Sequence, residues 1–166
     1  NHNKGKGFAV KTGVLASKNT WILTCDTDMS VLPSQLDLWI KNNLIKKNDK
    51  AYYGSRVHKD SIIKALFLRK LFGNILNVLL TILFKIELSD TQCGFKIFNS
   101  KYAKKIFKKL KCFGYAYDIE ITLLLKKNKI QVVELPLKWE HRSGSKVNLL
   151  KDSIKIFYDL LILKLR

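Results

Sequence analysis

The chain has 166 residues, of which 47% are hydrophobic, and it carries 31 Lys and Arg against 13 Asp and Glu, a net charge of +18. This length and apolar content correspond to one folded domain with a core and exclude a disordered tail. The charge favours an anionic partner such as a phosphate, a nucleic acid or an anionic membrane, although lysines on solvated faces would give the same total.

The cysteine pattern and the first residues add two constraints. Cys25, Cys93 and Cys112 are odd in number and lack CxxC spacing, so they indicate neither a disulfide framework nor a zinc site and fit a reducing compartment. The sequence begins with NHNKGKG rather than with Met and shows no signal peptide, so we expect the natural N-terminus to lie upstream.

The first third of the chain alternates between helix and strand patterns. We predict a helix over 7–18, a buried strand over 20–25, a helix over 33–47 that is opened by Pro33, and a second strand over 50–56. Such alternation is typical of an α/β fold with a mainly parallel sheet.

The remainder continues in the same style. The pattern predicts a long helical stretch over 61–88, a short strand over 94–98, a helix capped by Ser100, a helix over 117–128 and a strand over 130–139. No internal repeat or low-complexity linker interrupts it.

Two predicted helical segments have a composition that fits either a membrane surface or the protein core. Residues 71–84 are mostly apolar and carry no charged residue, and this stretch is too short to span a bilayer. It fits either a buried core helix or a helix that lies at a membrane interface. Residues 149–166 form a basic amphipathic pattern, which would lie on a membrane or dock on the core.

Two carboxylates follow the strand predicted over 20–25. Asp26 and Asp28 are two positions apart in an extended chain, so they point to the same side at the carboxyl end of a strand, where open α/β sheets bind ligands. Two carboxylates at such a short distance repel each other unless a cation lies between them. Mg²⁺ and Mn²⁺ are commonly bound by one or two carboxylates together with substrate phosphates. The pair thus indicates a metal-bound diphosphate, and a solvated turn is the alternative for this short motif by itself.

Other charged motifs follow in order. NKGKGFA places Lys6 before a helix, where anions are favoured, but it lacks the P-loop pattern. YGSR ends the second strand with Arg56, and each of these charges by itself also fits a solvated loop. The later motifs are SDTQCGFKIF with Asp90, Gln92 and Lys96, YDIE with Asp118 and Glu120, and ELPLKWEHRSGSK with Lys146.

The ordered set of NKGKGFAVKTGVLAS, DTD, YGSR, DTQCGFKIF, YDIE and ELPLKWEHRSGSKV resembles the family 2 glycosyltransferases that load a sugar onto a polyprenyl phosphate. The dolichyl-phosphate β-glucosyltransferases are the nearest group, and dolichol-phosphate mannose synthase is more distant. The resemblance implies an α/β GT-A fold with a mainly parallel mixed sheet. Family members also have an opening VVIPAYNE strand and a DDGS motif, which are not in this sequence, so we expect the N-terminal part of the domain to be missing from it.

The resemblance also implies a division of the chain and a set of roles. Residues 1–147, including an apolar helical region over 61–88, would be the larger part of the GT-A domain, and 148–166 a basic C-terminal helix. Asp26 and Asp28 would hold Mg²⁺ or Mn²⁺ on the donor and, with Asp90, form the catalytic set. Lys6 and Gln92 would bind the donor, whereas the acceptor phosphate would be bound by Arg56, Arg69, Lys96 and Lys146.

The implied reaction is an inverting transfer of a hexose from a nucleotide sugar to polyprenyl or dolichyl phosphate. UDP-glucose is the favoured donor, with GDP-mannose or another UDP-sugar as alternatives. Because a phosphate monoester is already largely anionic at neutral pH, a dedicated general base need not be present. Cytosolic nucleotide sugars and a lipid acceptor imply membrane association at the cytoplasmic face.

Two other functional classes remain as rivals. A nucleic-acid-binding module would explain the charge, but no RRM, KH, zinc-finger or helix-turn-helix signature is present, so we expect no nucleic-acid partner. A non-catalytic membrane-associated relative is the second rival. The intact DTD motif opposes it, whereas the missing N-terminal portion favours it.

Overall fold

The computed structural model describes residues 3–64, 67–114, 116–140 and 149–165. Within them the helices are α1 (Lys6–Ala16), α2 (Gln35–Lys41), α3 (Phe67–Phe84), α4 (Ser100–Lys109), α5 (Tyr117–Lys127) and α6 (Leu149–Lys164). The strands are β1 (Trp21–Thr24), β2 (Ala51–Gly54), β3 (Ile62–Lys64), β4 (Lys96–Asn99), β5 (Val132–Leu135) and β6 (Lys138–Glu140).

The main sheet has the strand order β1-β4-β2-β5. Strand β4 runs antiparallel to both of its neighbours, and β2 pairs in parallel with β5, so β1, β2 and β5 share one direction. The expected mixed α/β sheet is confirmed, with a single reversed strand lying between two strands of the common direction. A second, two-stranded parallel sheet joins β3 to β6.

The predicted helix over 61–88 is wrong at both ends. Ile62–Lys64 is strand β3, since it pairs with Lys138–Glu140. At the other end the helix stops at Phe84, where Lys85 adopts a φ of 54° and the N–H groups of Lys85 and Ile86 bond back to the carbonyls of Thr81 and Leu80. The left-handed Lys85 and its N–H bond to the Thr81 carbonyl form an αL helix ending, which turns the chain out of the helix.

The strand predicted over 130–139 is two strands, because Pro136 cannot donate to a ladder and separates β5 from β6. The predicted helix over 33–47 covers only Gln35–Lys41, because Asn43 has a φ of 52° and reverses the chain. Ser34, not Pro33, precedes its first residue.

The cap of α4 also differs from the prediction. Asn99 occupies the N-cap position, where its side chain accepts a hydrogen bond from the Lys101 N–H, and Ser100 is the first helical residue. The N-cap residue therefore also ends β4.

Apolar side chains cover both faces of the main sheet, because neighbouring residues of a strand point to opposite faces. Tyr53 and Phe98 pack with α1, α4 and α5 on one face. Tyr52 and Ile97 pack on the other face with Trp39 of α2 and Trp139 of β6. The sheet is thus a rigid layer whose edges carry the loops.

Helices α3 and α6 pack on each other and on α5 through a third apolar cluster of Leu80, Ile86, Ala116, Ile119 and Leu160. Both also expose apolar side chains, and we call this set the outer apolar surface: Ile75, Val78 and Ile82 of α3 with Phe157, Tyr158 and Leu161 of α6. Helix α3 is thus half-buried over residues 75–84, and α6 docks on the core through Leu160. No helix in the described part of the chain has the length and apolarity needed to cross a bilayer. The predicted domain boundary at 147/148 lies outside the described residues.

Candidate functional site

Three of the motifs singled out in the sequence, DTD, YGSR and DTQCG, meet at one edge of the main sheet. Asp26 follows the end of β1, Arg56 follows the end of β2, and the DTQCG segment leads into β4, whose Lys96 lies opposite Thr24 of β1. Because β4 runs against its neighbours, its beginning lies beside their carboxyl ends. This is the sheet edge at which open α/β folds bind ligands.

Asp26 and Asp28 lie in a tight turn after β1. The Met29 N–H donates to the Asp26 carbonyl, Met29 has a φ of 55°, and the Ser30 N–H donates to Asp28 Oδ1 at 3.0 Å. Asp28 is exposed, and the Asp26 side chain retains 32% exposure. The turn is therefore held by local contacts, and both carboxylates remain accessible to a ligand.

Lys6, the first residue of α1, pairs with Asp26. The distance from Lys6 Nζ to Asp26 Oδ1 is 2.6 Å, and the ammonium also lies 5.7 Å from the centre of the Tyr117 ring. Burial by itself would lower the pKa of Lys6, but the negative charges of Asp118 and Asp26 outweigh it and raise that pKa above its ordinary value. Lys6 thus stays a cation beside the predicted metal ligand.

Gly94, in the loop that precedes β4, packs against Asp26. A Cβ at position 94 would overlap the Asp26 carboxylate, so a larger residue there would displace this carboxylate from its observed position. The Gly94 carbonyl also accepts a hydrogen bond from Thr24 Oγ1 at 3.0 Å. The glycine of DTQCGFK thereby determines where the aspartate of DTD lies.

Arg56 and Asp90 form a bidentate ion pair. Arg56 Nε lies 2.7 Å from Asp90 Oδ2 and Nη2 lies 2.8 Å from Oδ1, while the Arg56 N–H donates to Oδ2. The N–H groups of Gln92 and Cys93 also donate to Asp90 Oδ1. Burial would raise the pKa of Asp90, but the Arg56 charge and these hydrogen bonds lower it below its ordinary value. Such a carboxylate is a poor proton acceptor and a firm anchor for its loop.

Glu134 of β5 holds the same loop, a role that the sequence did not reveal. Its two carboxylate oxygens accept hydrogen bonds from the N–H groups of Ser89 and Asp90, each at 2.9 Å. The spacing of more than forty residues between donor and acceptor gives no local pattern, and only the sheet register brings them together.

Gln92 contributes an unmatched polar group. Its main chain bonds Asp90, but its side-chain Nε2 is buried without a hydrogen-bond partner, as are the hydroxyls of Ser55 and Thr91 among the described residues. An unsatisfied buried donor costs about 1–3 kcal/mol, so a polar ligand or water at these atoms would be stabilising.

Lys96 is an interior residue. It is 1% exposed, contacts the carboxylate of Asp118, donates to the Thr91 carbonyl at 2.9 Å and lies over the Tyr53 ring at 4.5 Å. Its predicted contact with the acceptor phosphate stays a prediction, and the ammonium would have to leave Asp118 to make it. Arg69 lies on α3, but its side chain, like the whole of Lys146, is outside the described residues.

Asp118 connects the two lysines. It is 2% exposed, touches Lys96 and acts electrostatically on Lys6, which in turn pairs with Asp26. Charges therefore alternate from the core to the surface, in the order Lys96, Asp118, Lys6 and Asp26. The YDIE motif is recognisable in the sequence, but the interactions of its aspartate with Lys96 and Lys6 are not.

The donor set at this edge fits a metal ion that arrives with a phosphate ligand. No group of three or more His, Cys, Asp or Glu side chains in 3–64, 67–114, 116–140 or 149–165 is arranged to hold a metal by itself. Two open carboxylates are the usual protein share of a Mg²⁺ or Mn²⁺ site that is completed by substrate phosphates. Asp26 and Asp28 match that share in type and exposure.

Comparison with curated proteins identifies relatives along nearly the whole chain. It is 33% identical to the dolichyl-phosphate β-glucosyltransferase of Saccharomyces cerevisiae and 31% identical to that of Homo sapiens, over 98% and 99% of this chain. The chain spans about half the length of these relatives, 52% in both cases. No family model matches it. The predicted resemblance to this group of enzymes is confirmed.

Solved structures give the same fold. Glucosyl-3-phosphoglycerate synthase from Mycobacterium tuberculosis in complex with UDP superposes with a TM-score of 0.63 at 16% identity, over 96% of this chain and 55% of that one. The same protein with Mn²⁺, UDP-glucose and phosphoglyceric acid gives a TM-score of 0.62 at 17% identity. The predicted GT-A fold class is confirmed. Because the identity is this low, the likeness shows a shared fold and no shared function.

Proposed function

We propose that this chain, a homologue of the dolichyl-phosphate β-glucosyltransferases, is the part of such an enzyme that holds the donor diphosphate and receives the lipid phosphate. The reaction would transfer glucose from UDP-glucose to dolichyl or another polyprenyl phosphate. The observation that carries the proposal is the convergence of Asp26, Lys6 and Gly94 at the carboxyl edge of the main sheet.

The donor end is proposed for Asp26, Asp28 and Lys6. A divalent cation held by the two carboxylates would offset negative charge on the leaving diphosphate. Lys6 has a raised pKa and lies beside Asp26, so it adds a permanent positive charge at the same place. A related fold that binds Mn²⁺ and UDP-glucose supports this choice of donor and metal.

The acceptor end is proposed for Arg56, which keeps 34% side-chain exposure while Asp90 fixes its orientation. An acceptor phosphate oxygen would attack the anomeric carbon of the glucose, the bond from that carbon to the diphosphate oxygen would break, and the configuration would invert. The phosphate is largely dianionic at neutral pH, so no proton needs to be removed from it. Asp90 therefore acts as an anchor for Arg56 and the 89–94 loop rather than as a base.

A membrane contact is proposed for the outer apolar surface. Its side chains are exposed on two helices that pack together, and the chain has a net charge of +18, which suits an anionic leaflet. We place this contact at the cytoplasmic face, where nucleotide sugars are found.

The test is sugar transfer by the full-length protein to dolichyl phosphate, with labelled UDP-glucose and, in parallel, labelled GDP-mannose, in the presence of Mg²⁺ or Mn²⁺. A metal-dependent lipid-linked glucose from UDP-glucose is the expected product. Lipid-linked product from GDP-mannose but not from UDP-glucose would show that GDP-mannose is the donor. Nucleotide binding without any lipid product would point to the non-catalytic relative instead.

A further inference from the structure

The beginning of α1 rests on a loop that a buried glutamate holds in place. We propose that Glu120 is a positioning residue for Lys6 and thereby sets the affinity of the protein for the nucleoside diphosphate. This inference rests on the proposed donor-binding role of Lys6.

Glu120 binds the main chain of the loop between α4 and α5. A single oxygen, Oε2, accepts hydrogen bonds from the N–H groups of Lys111 at 3.0 Å and Cys112 at 2.5 Å. Glu120 is 7% exposed, so these two N–H groups would lose their partner in a buried setting if the carboxylate were removed. The carboxylate thus sets the path of the chain at 111–112.

The beginning of α1 packs against the loop that Glu120 holds. The Gly7 N–H donates to the Phe113 carbonyl at 2.9 Å. A Cβ at Gly5 would lie 2.4 Å from that same carbonyl oxygen, and a Cβ at Gly7 would lie 2.8 Å from the Cys112 carbonyl oxygen. The two glycines that flank Lys6 therefore let the main chain of α1 lie directly against residues 112–113.

Lys6 is thus fixed from both sides by the first turns of α5. Glu120 fixes the loop under its neighbours, while Asp118 attracts its ammonium. Since Lys6 Nζ lies 2.6 Å from Asp26, a shift of residues 111–113 would move this cation relative to the diphosphate site. Glu120 itself is buried and contacts main chain, so its effect on the ligand is transmitted through Lys6.

The chain offers a matched control in Glu134. Glu134 likewise accepts hydrogen bonds from two consecutive main-chain N–H groups, those of Ser89 and Asp90. It holds the loop of Asp90, and none of its observed hydrogen bonds involves α1. Removing it would leave comparable main-chain groups unpaired without moving Lys6.

The experiment is calorimetric titration of the full-length protein with UDP in excess Mn²⁺, for Glu120→Ala, Glu120→Gln, Glu134→Ala and Lys6→Gln, and for the double variants with Lys6→Gln. We expect Glu120→Ala to raise the Kd for UDP by about tenfold, which is about 1.4 kcal/mol. Glu120→Gln keeps an acceptor oxygen and should stay within about twofold of the unsubstituted protein. Glu120→Asp, with a shorter reach, serves if the alanine variant does not fold, and should also raise the Kd.

The double variants separate positioning from general loosening. In the Lys6→Gln background Glu120→Ala should change the Kd by less than about twofold, whereas Glu134→Ala should have the same effect in both backgrounds. Equal effects of Glu120→Ala with and without Lys6, or an unchanged Kd in both Glu120→Ala and Glu120→Asp, would overturn the inference. An unchanged Kd in Lys6→Gln would overturn the donor-binding role of Lys6 and the inference with it.

Discussion

The acidic residues of the site differ in how many carboxylate lone pairs their hydrogen bonds leave free for a ligand. Asp90 accepts hydrogen bonds from Arg56, Gln92 and Cys93, and its buried oxygens are fully used. Asp28 receives one bond from the Ser30 N–H and is exposed. Sequence motifs present both residues as equivalent carboxylates, but only Asp28 has lone pairs to offer a ligand.

The Asp90 pairing should appear in the acid stability of the protein. The pKa of Asp90 is lowered in the folded state, and the unfolded value is about 3.9, so its stabilisation is complete above about pH 5 and lost as the pH falls through the folded pKa. Asp90→Asn should therefore cost about 2–3 kcal/mol of unfolding free energy at pH 7, with the solvent exposure of Arg56 moderating the loss. The difference from the unsubstituted protein should shrink below about pH 4. Urea unfolding between pH 7 and pH 3 measures it, and a difference independent of pH would contradict the account.

Gly94 is the residue on which the position of Asp26 depends most directly. Gly94→Ala would place a Cβ against the Asp26 carboxylate and should reduce metal-dependent sugar transfer by about 10²-fold, a typical cost for misplacing a group in an active site. Gly13→Ala is the matched control, since nothing lies within 4 Å of its Cβ and it lies inside α1. The control should stabilise the protein by up to about 1 kcal/mol and keep full activity. Equal activity of the two variants would refute the role of Gly94.

At the scale of elements, one buried ion pair joins strand β4 to helix α5. Lys96 and Asp118 are both almost fully buried, and each neutralises the other in a place where a single charge would be costly. The pair also lies at the inner end of the charge series that reaches Asp26. It thus connects the packing of the core to the electrostatics of the ligand edge.

Removing one member of this pair should harm the fold more than removing both. Lys96→Met should cost about 3–5 kcal/mol of unfolding free energy, because it removes the direct ion-pair partner of the buried Asp118 carboxylate. Lys96→Met with Asp118→Leu should recover most of that loss. Denaturant unfolding of the two variants measures this. A stable single variant that lacks only acceptor binding would support the phosphate role predicted for Lys96 from the sequence.

The sequence predicted local features well and long-range ones poorly. Helix α5 and the DTD and DTQCG motifs were found, because periodicity and spacing are local signals. The reversed direction of β4 was not, since a short apolar run reads the same in either direction. The burial of Lys96 against Asp118 was not predicted either, because the two residues are twenty-two positions apart. The anchoring by Glu134 and Glu120 likewise depends on contacts that no spacing reveals.

At the scale of the whole molecule, the ligand edge and the outer apolar surface lie on different elements of one domain. The edge is built from the ends of strands, while the apolar surface belongs to α3 and α6. Helix α5 packs against α3 and α6 and also supplies Asp118 and Glu120. A lipid acceptor would require both regions, because its phosphate must reach the edge while its chain stays in an apolar phase.

The outer apolar surface should bind anionic vesicles. Ile82→Asp or Phe157→Asp should weaken binding to mixed phosphatidylcholine and phosphatidylserine vesicles by at least about tenfold, because burying such a side chain contributes about 1.5–3 kcal/mol. Ile40→Asp is the matched control, because Ile40 is an apolar residue of α2 whose exposure lies between those of Phe157 and Ile82. Binding should also weaken with added salt, as expected for a basic protein on an anionic surface. Flotation with vesicles measures both effects, and an equal loss in the control would contradict a dedicated surface.

The proposed role of the open carboxylates after β1 is to hold a metal-bound sugar diphosphate for transfer to a lipid phosphate. Its most direct test is glucose transfer from labelled UDP-glucose to dolichyl phosphate by full-length Asp28→Asn, with Asp37→Asn of the exposed face of α2 as the matched control. Asn at position 28 can still accept the Ser30 N–H bond, so the turn should persist. The account predicts that Asp28→Asn loses transfer by at least about 10²-fold, as expected when a metal ligand is removed, while Asp37→Asn remains active. Near-normal turnover by Asp28→Asn would contradict it.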